Sequence, residues 1–195
     1  MHFDITHNTH YYYEDPASYL IQLLRLTPRS DGGQNVLNWH ISAPTRLHAQ
    51  IDAYGNHTHI LTINQAIREL HIEVRGTVQV NEDTSSNRRA ANSSDLSPLI
   101  YTQATRFTQA DAALNDFAHS FQTHNGLLSE IEALRLMQAV HERIRYVSGA
   151  TTVQTTAPQA FAQAQGVCQD QAHVFLAAAR AIGIPARYVS GYLNT

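Results

Sequence analysis

The chain has 195 residues, room for one ordinary domain or two small ones. Charged residues are 15% of it and hydrophobic residues 43%, a globular composition that excludes a disordered chain. The net charge of −3, with no block of like charge, argues against a general grip on nucleic acid or an anionic membrane patch.

All 13 basic residues are arginine, and protonating the 12 histidines would carry the charge from −3 to +9. One cysteine, Cys168, allows no internal disulfide. The start, Met1-His2-Phe3-Asp4, has no signal-peptide pattern, and the longest aliphatic-aromatic run, Val174 to Ala179, is too short to span a bilayer. These features predict a soluble, cytoplasmic protein.

The first 80 residues read as strands. Ile5, His7, Thr9, Tyr11 and Tyr13 alternate as one face of a pleated strand does. Tyr19 to Leu26 follows, ended by Pro28 and Ser30-Asp31-Gly32-Gly33. Val36 to Ile41 is a third strand, and Leu47 to Ala53 and His57 to Ile63 flank a hairpin signal at Tyr54-Gly55-Asn56. Leu70 to Val80 alternates again, with Gly76 read as a bulge. Short strands at about ten-residue intervals predict a β-sandwich over residues 1–80. Residues 81–98 are polar and rich in Ser and Asn, as a linker or long loop would be.

From residue 99 the period becomes helical. Thr108 with Asp111 marks a helix start, followed by the stripe Leu114, Phe117, Ala118 and Phe121. Ser129-Glu130-Ile131-Glu132 is a capping box, and behind it Ile131, Leu134, Met137, His141 and Ile144 share a face. A short helix is expected from Pro158 to Ala164. Gly166-Val167-Cys168 opens another, which Gly183 and Pro185 stop. Ala186 to Leu193 has strand composition.

On a helical wheel Ala172, Phe175 and Ala179 fall within about 40° of Cys168, and only His173, Arg180 and Asp170 break the apolar coat. Such a helix is expected to be buried, with the cysteine at its N-terminal tip, where free N–H groups favour a thiolate and can donate to an oxyanion. A helix terminus contributes only about 0.3–1 kcal/mol, less than one unit of a thiol's pKa, so a thiolate at neutral pH needs an imidazolium beside it. His173 lies about 140° around the helix and is excluded as that partner. His141 stays open. Spacing alone leaves an inert buried cysteine as the alternative to a functional one.

The segment GVCQDQAHVFLAAARAIGIPARYVSGYL, Gly166 to Leu193, resembles the core motif of the bacterial transglutaminase-like superfamily, a papain-like group of cysteine enzymes. Leu24 to Arg29, Asp52 to Asn56 and Tyr101 to Arg106 are similar to strings in the β-rich N-terminal domain, and the junction, that often precede this core. The resemblance implies an α+β chain: an N-terminal β-sandwich, then a mainly helical, truncated papain/transglutaminase-like core over residues 99–195. It implies Cys168 as the catalytic nucleophile and Arg180 to Tyr192 as the stretch entering the next core strand.

The family completes its triad with a His and an Asp several tens of residues further on. Only 27 residues follow Cys168, and His173 is the one histidine among them. The expectation is therefore a fragment, inactive alone, of an enzyme that performs acyl transfer on a protein or peptide amide to water or to an amine. A non-catalytic binding or interaction protein on the same fold is the alternative. No cofactor is implied. A chain without lysine cannot crosslink to itself as acyl acceptor. The Ala186–Leu193 strand is expected to present an open edge, inviting a homodimer or a swapped segment.

Weaker signals take ordinary readings. His57-Thr58-His59 puts two imidazoles on one strand face, a geometry metals use, but with no third ligand nearby they read as exposed strand histidines and no metal site is assigned. Asp170 reads as a helix-start residue rather than a catalytic one. Tyr11 to Tyr13 read as half-buried strand residues, and Arg143 and Arg145 as a solvated helix face. Tyr192 could approach the site from the neighbouring strand, which the sequence alone does not establish.

Overall fold

The computed structural model describes residues 1–30, 33–81, 96–122 and 129–192. They fall into two compact units, Met1–Leu96 and Ser97–Thr195. Most of the linker expected at 81–98 lies outside the described residues.

The first unit contains six strands: β1 His2–Ala17, β2 Leu20–Leu24, β3 Gln34–Ser42, β4 His48–Ile51, β5 His57–Ile63 and β6 Ile67–Val80. They form two three-stranded antiparallel sheets, ordered β1-β6-β3 and β2-β5-β4. Leu24, Leu61 and Ile63 of one sheet share a core with Leu70 and Ile72 of the other, and Tyr13 and Ile41 pack against it. The unit is the expected β-sandwich, because period-2 alternation in β5 and β6 gives each sheet one apolar face to bury.

Gly76 is not a bulge. It keeps regular register between Ile5 and Trp39, and the irregularity lies across from β6 in β3, between Val36 and Asn38. A Cβ at Gly76 would stand 2.8 Å from Trp39 Cδ2 and 2.6 Å from the Asn38 carbonyl, so glycine here makes room for the indole. The β4–β5 turn is built on Asp52, whose carboxylate accepts the N–H groups of Tyr54 and Asn56, each at 2.9 Å. Gly55 supplies the positive φ, 76°.

The second unit opens with a short 3-10 turn, Pro98–Thr102, and carries four helices: α1 Ala112–His119, α2 Glu130–Arg143, α3 Ala157–Gln163 and α4 Cys168–Ala181. A parallel pairing of β7 Arg145–Tyr146 with β8 Gln165–Gly166 ties the end of α2 to the start of α4. Asp111 caps α1 through the Leu114 N–H at 2.9 Å, and the Ser129/Glu132 capping box is formed. Leu114 and Ala118, Leu136 and Val140, Ala160 and Phe161, and Val174, Ala177 and Ala178 make one core. Alanines on α4 let its neighbours approach closely.

Two expectations fail here. The buried face of α2 is Leu136, Val140 and the following Ile144, whereas Ile131, Leu134, Met137 and His141 are exposed. The helix carries two apolar stripes about 100° apart, and periodicity does not say which one a neighbour covers. Residues 186–192 form no strand, so the sheet edge expected there does not exist among them. Their start is held by other bonds instead: the Ala186 N–H donates to the Tyr101 carbonyl at 3.1 Å.

Candidate active site

Cys168 is the first residue of α4, and its thiol is exposed. Exposure stops at this tip: Val174 and Leu176 to Ala179 are buried, as the wheel required. The Cys168 N–H belongs to the first turn, where amides have no acceptor within the helix.

Asp170 fixes that tip. It is 2% exposed, and its Oδ2 accepts the Val167 N–H at 2.7 Å and the Thr151 hydroxyl at 2.6 Å. The wheel showed it as a break in the apolar coat. The structure buries it, because these two donors replace the water it leaves. Its role at the helix start is that expected.

Gly166 follows from the same contact, since a Cβ there would lie 2.6 Å from Asp170 Oδ2. Gln171 adds a third tie, donating to the Ile144 carbonyl at 2.9 Å. The Gly-x-Cys-x-Asp spacing thus holds the loop before the helix, and with it the sulfur.

Three rings meet at His173, in the second turn of α4. His173 stacks on Phe107, centroids 5.5 Å apart at 13°, and Tyr188 tilts against His173 at 5.6 Å. Burial first, and then Arg180, lower the His173 pKa from its ordinary value, while Asp170 works the other way. The imidazole is therefore neutral at physiological pH. Burial, and then the negative charge of Cys168, raise the Tyr188 phenol. The Tyr192 phenol is raised by burial. Alternation along the expected strand would have put Tyr188 on the same face as Tyr192, so spacing gave no reason to name Tyr192 alone.

Arg180 holds the Tyr188 segment in place. It donates to the carbonyls of Tyr101 at 3.0 Å and Ala186 at 2.7 Å, and to the Thr108 hydroxyl at 2.8 Å. Among the described residues no imidazole is hydrogen-bonded to the Cys168 sulfur, and His141, left open above, is exposed on α2.

Elsewhere, His57 and His59 line a cleft of about 390 Å³ with Trp39, Leu47 and Gln50. His57 is exposed as expected. His59 is half-buried, and burial, then His57, lower its pKa. Among the described residues no group of three His, Cys, Asp or Glu could hold a metal ion. Tyr11 and Tyr12 are exposed and only Tyr13 packs on the core. Arg143 is exposed with its guanidinium over the Phe161 ring, and Arg145 is exposed in β7. Among the described residues no helix is long and apolar enough to cross a membrane.

Residues 3–79 match the bacterial transglutaminase-like N-terminal region, and residues 115–195 match the transglutaminase-like superfamily. An uncharacterized protein of Mycobacterium leprae is 29% identical over 97% of this chain and 70% of its own length. One from Mycobacterium bovis is 30% identical over 98% of this chain and 65% of its own. The crystal structure of a proposed cysteine protease from Cytophaga hutchinsonii superposes with a TM-score of 0.69 at 19% identity, covering 95% of this chain and 67% of that one. That likeness shows the fold. The chain thus spans about two thirds of the length of each of these proteins.

Proposed function

Because the chain joins a bacterial transglutaminase-like N-terminal region to a transglutaminase-like superfamily domain, we propose that Cys168 is the nucleophile of a cysteine-dependent acyl transfer on amide or peptide bonds. The observation that carries this reading is the exposed thiol on the first residue of α4, held by a buried Asp170 that binds the loop before it. In the proposed reaction the thiolate attacks the amide carbonyl and an S–C bond forms. The carbonyl electron pair moves to oxygen, where the Cys168 N–H donates to it. Collapse expels the amine, which takes a proton from an imidazolium, and water or a second amine then releases the acyl group.

That imidazole and the carboxylate orienting it are expected in sequence which the longer relatives carry and this chain does not. The chain by itself then forms a thioester without turning over. A binding or interaction role on the same fold is the second reading, favoured by the lack, among the described residues, of an imidazole bonded to the sulfur.

Supplying glutaminyl peptides with hydroxylamine to the protein separates the outcomes. Hydroxamate marks transfer to amines, and free acid marks hydrolysis. Both are expected to vanish in Cys168→Ala. Activity surviving that substitution excludes the nucleophile reading, and no activity in the unsubstituted protein favours the binding role.

A further inference from the structure

Thr151 stands between two turns that fix its place beside the start of α4. On one side the Val147 N–H donates to the Gly166 carbonyl at 2.8 Å, and Gly149, at a φ of 77°, turns the chain. On the other side the Thr152 N–H donates to the Thr155 hydroxyl and the Thr155 N–H to the Thr152 carbonyl, each at 3.0 Å. The Ala157 N–H then ties the following helix to the Phe107 carbonyl at 2.8 Å. Held at both ends, Thr151 delivers its hydroxyl to Asp170 Oδ2 at 2.6 Å.

What this contact does follows from where the carboxylate would otherwise go. Val167, the N-cap residue of α4, has a hydrocarbon side chain that accepts nothing. Among the described residues the Cys168 and Gln169 N–H groups have no acceptor. Asp170 Oδ2 sits on the Val167 N–H at 2.7 Å, the backbone donor immediately before that of Cys168. Free first-turn amides attract any carboxylate within reach. An unrestrained Asp170 would therefore compete with a substrate oxyanion for the Cys168 N–H. The Thr151 hydroxyl donates to the same oxygen that accepts from Val167, and so fixes it there.

We propose that Thr151 is a positioning residue for the acyl transfer: its hydrogen bond keeps the Asp170 carboxylate on the Val167 N–H and leaves the Cys168 N–H to the carbonyl oxygen under attack. This inference rests on the reading of Cys168 as the nucleophile. Thr151 gives up no proton and forms no bond to substrate. Its effect is confined to reactions in which negative charge develops on a carbonyl oxygen, because only these call on the Cys168 N–H.

Two reactions of the same thiol separate this role from a purely structural one. With p-nitrophenyl acetate, the thiolate adds to the ester carbonyl through an oxyanion, and p-nitrophenolate leaves as an anion that requires no acid. With iodoacetamide, the thiolate displaces iodide at a saturated carbon and no oxyanion forms. Both rates scale with the thiolate fraction, so their ratio cancels it. Thr151→Val keeps the branched shape and removes the hydroxyl. It is expected to lower the ester-to-alkylation ratio about tenfold, the loss that follows when the carboxylate occupies the Cys168 N–H in about nine chains of ten. Thr151→Ser returns the hydroxyl and should keep the wild-type ratio. Asp170→Ala added to Thr151→Val removes the competing acceptor and should restore the ratio, whatever it does to the urea midpoint.

An unchanged ratio in Thr151→Val, with the p-nitrophenolate burst still lost in Cys168→Ala, overturns the Thr151 role alone. Equal slowing of the two reactions also overturns it, by assigning Thr151 to the stability of the helix tip. So does a Thr151→Ser ratio as low as that of Thr151→Val, or a double variant whose ratio stays low. A wild-type chain that gives no burst, or a burst that survives in Cys168→Ala, overturns the nucleophile reading, and this inference with it.

Discussion

A Cβ at Gly166 would stand 2.6 Å from the Asp170 carboxylate and 2.7 Å from its Cβ, so Gly166→Ala is expected to push that side chain off its two donors. The Val167 N–H and the Thr151 hydroxyl would then lose their acceptor, a cost of about 1–3 kcal/mol for each group left buried. Asp170→Asn keeps the shape and removes the charge, and so isolates the carboxylate's part. Both variants should lower the urea midpoint, Gly166→Ala by more, with slower alkylation of Cys168 because the tip of α4 loosens. Unchanged stability in Gly166→Ala would show that the loop accommodates a methyl and that Asp170 does not fix it. The Gly-x-Cys-x-Asp pattern was legible in the sequence. That Asp170 is buried beneath Gly166 was not, because a helical wheel gives direction around the axis and nothing about the loop packed on it.

Among the elements, α4 joins the core to the site. Its middle is buried against α1, α2 and α3, and its last turn carries Arg180, which reaches three segments at once. Arg180→Met would leave the Ala186 carbonyl without its guanidinium donor and take one of two donors from the Tyr101 carbonyl and one bond from the Thr108 hydroxyl. The expected outcome is faster amide exchange over residues 184–192. Protection equal to wild type would mean that the Ala186–Tyr101 backbone bond suffices. Leu114→Ala, at a fully buried position on α1, should cost about 2–5 kcal/mol in denaturant unfolding.

Elements with one apolar face were readable in advance: β5 and β6, the stripe of α1, and the capping box of α2. Two kinds of element were not. α2 carries two apolar stripes, and only its neighbours decide that Leu136 and Val140 go inside while Ile131 and Met137 stay out. Residues 186–192 have β-branched and aromatic composition, but a strand needs a ladder partner, and here the Ala186 N–H and carbonyl bond to Tyr101 and Arg180 instead.

At the scale of the whole molecule, titration links both units to pH. His59 in the sandwich and His173 at the site have folded-state pKa values below 6.5, chiefly because burial disfavours the charged imidazole. The unfolded chain therefore binds more protons as pH falls below 6.5. Their contribution is complete above that value and is lost toward the folded pKa. Stability should decline in mildly acidic buffer, before the carboxylates titrate, and His173→Phe should flatten that decline for the helical unit. A flat unfolding free energy through this range would contradict it.

Asp52 adds a second, more acidic step. Burial opposes its charge, but hydrogen bonds from the Asn56 side chain and backbone, the Tyr54 N–H and Arg25 outweigh it and hold the carboxyl below 3.8. Its stabilisation is present above 3.8 and disappears as pH falls through the folded value. Asp52→Asn should remove that last step.

If Cys168 is a nucleophile, an acyl group becomes attached to its sulfur. The most direct measurement is intact-mass and peptide-mapping analysis of the 195-residue chain after a brief exposure to p-nitrophenyl acetate at mildly alkaline pH. One acetyl group per chain is expected, on the peptide containing Cys168, and none in Cys168→Ala. An unmodified Cys168, or acetyl carried equally by the Cys168→Ala chain, would contradict it.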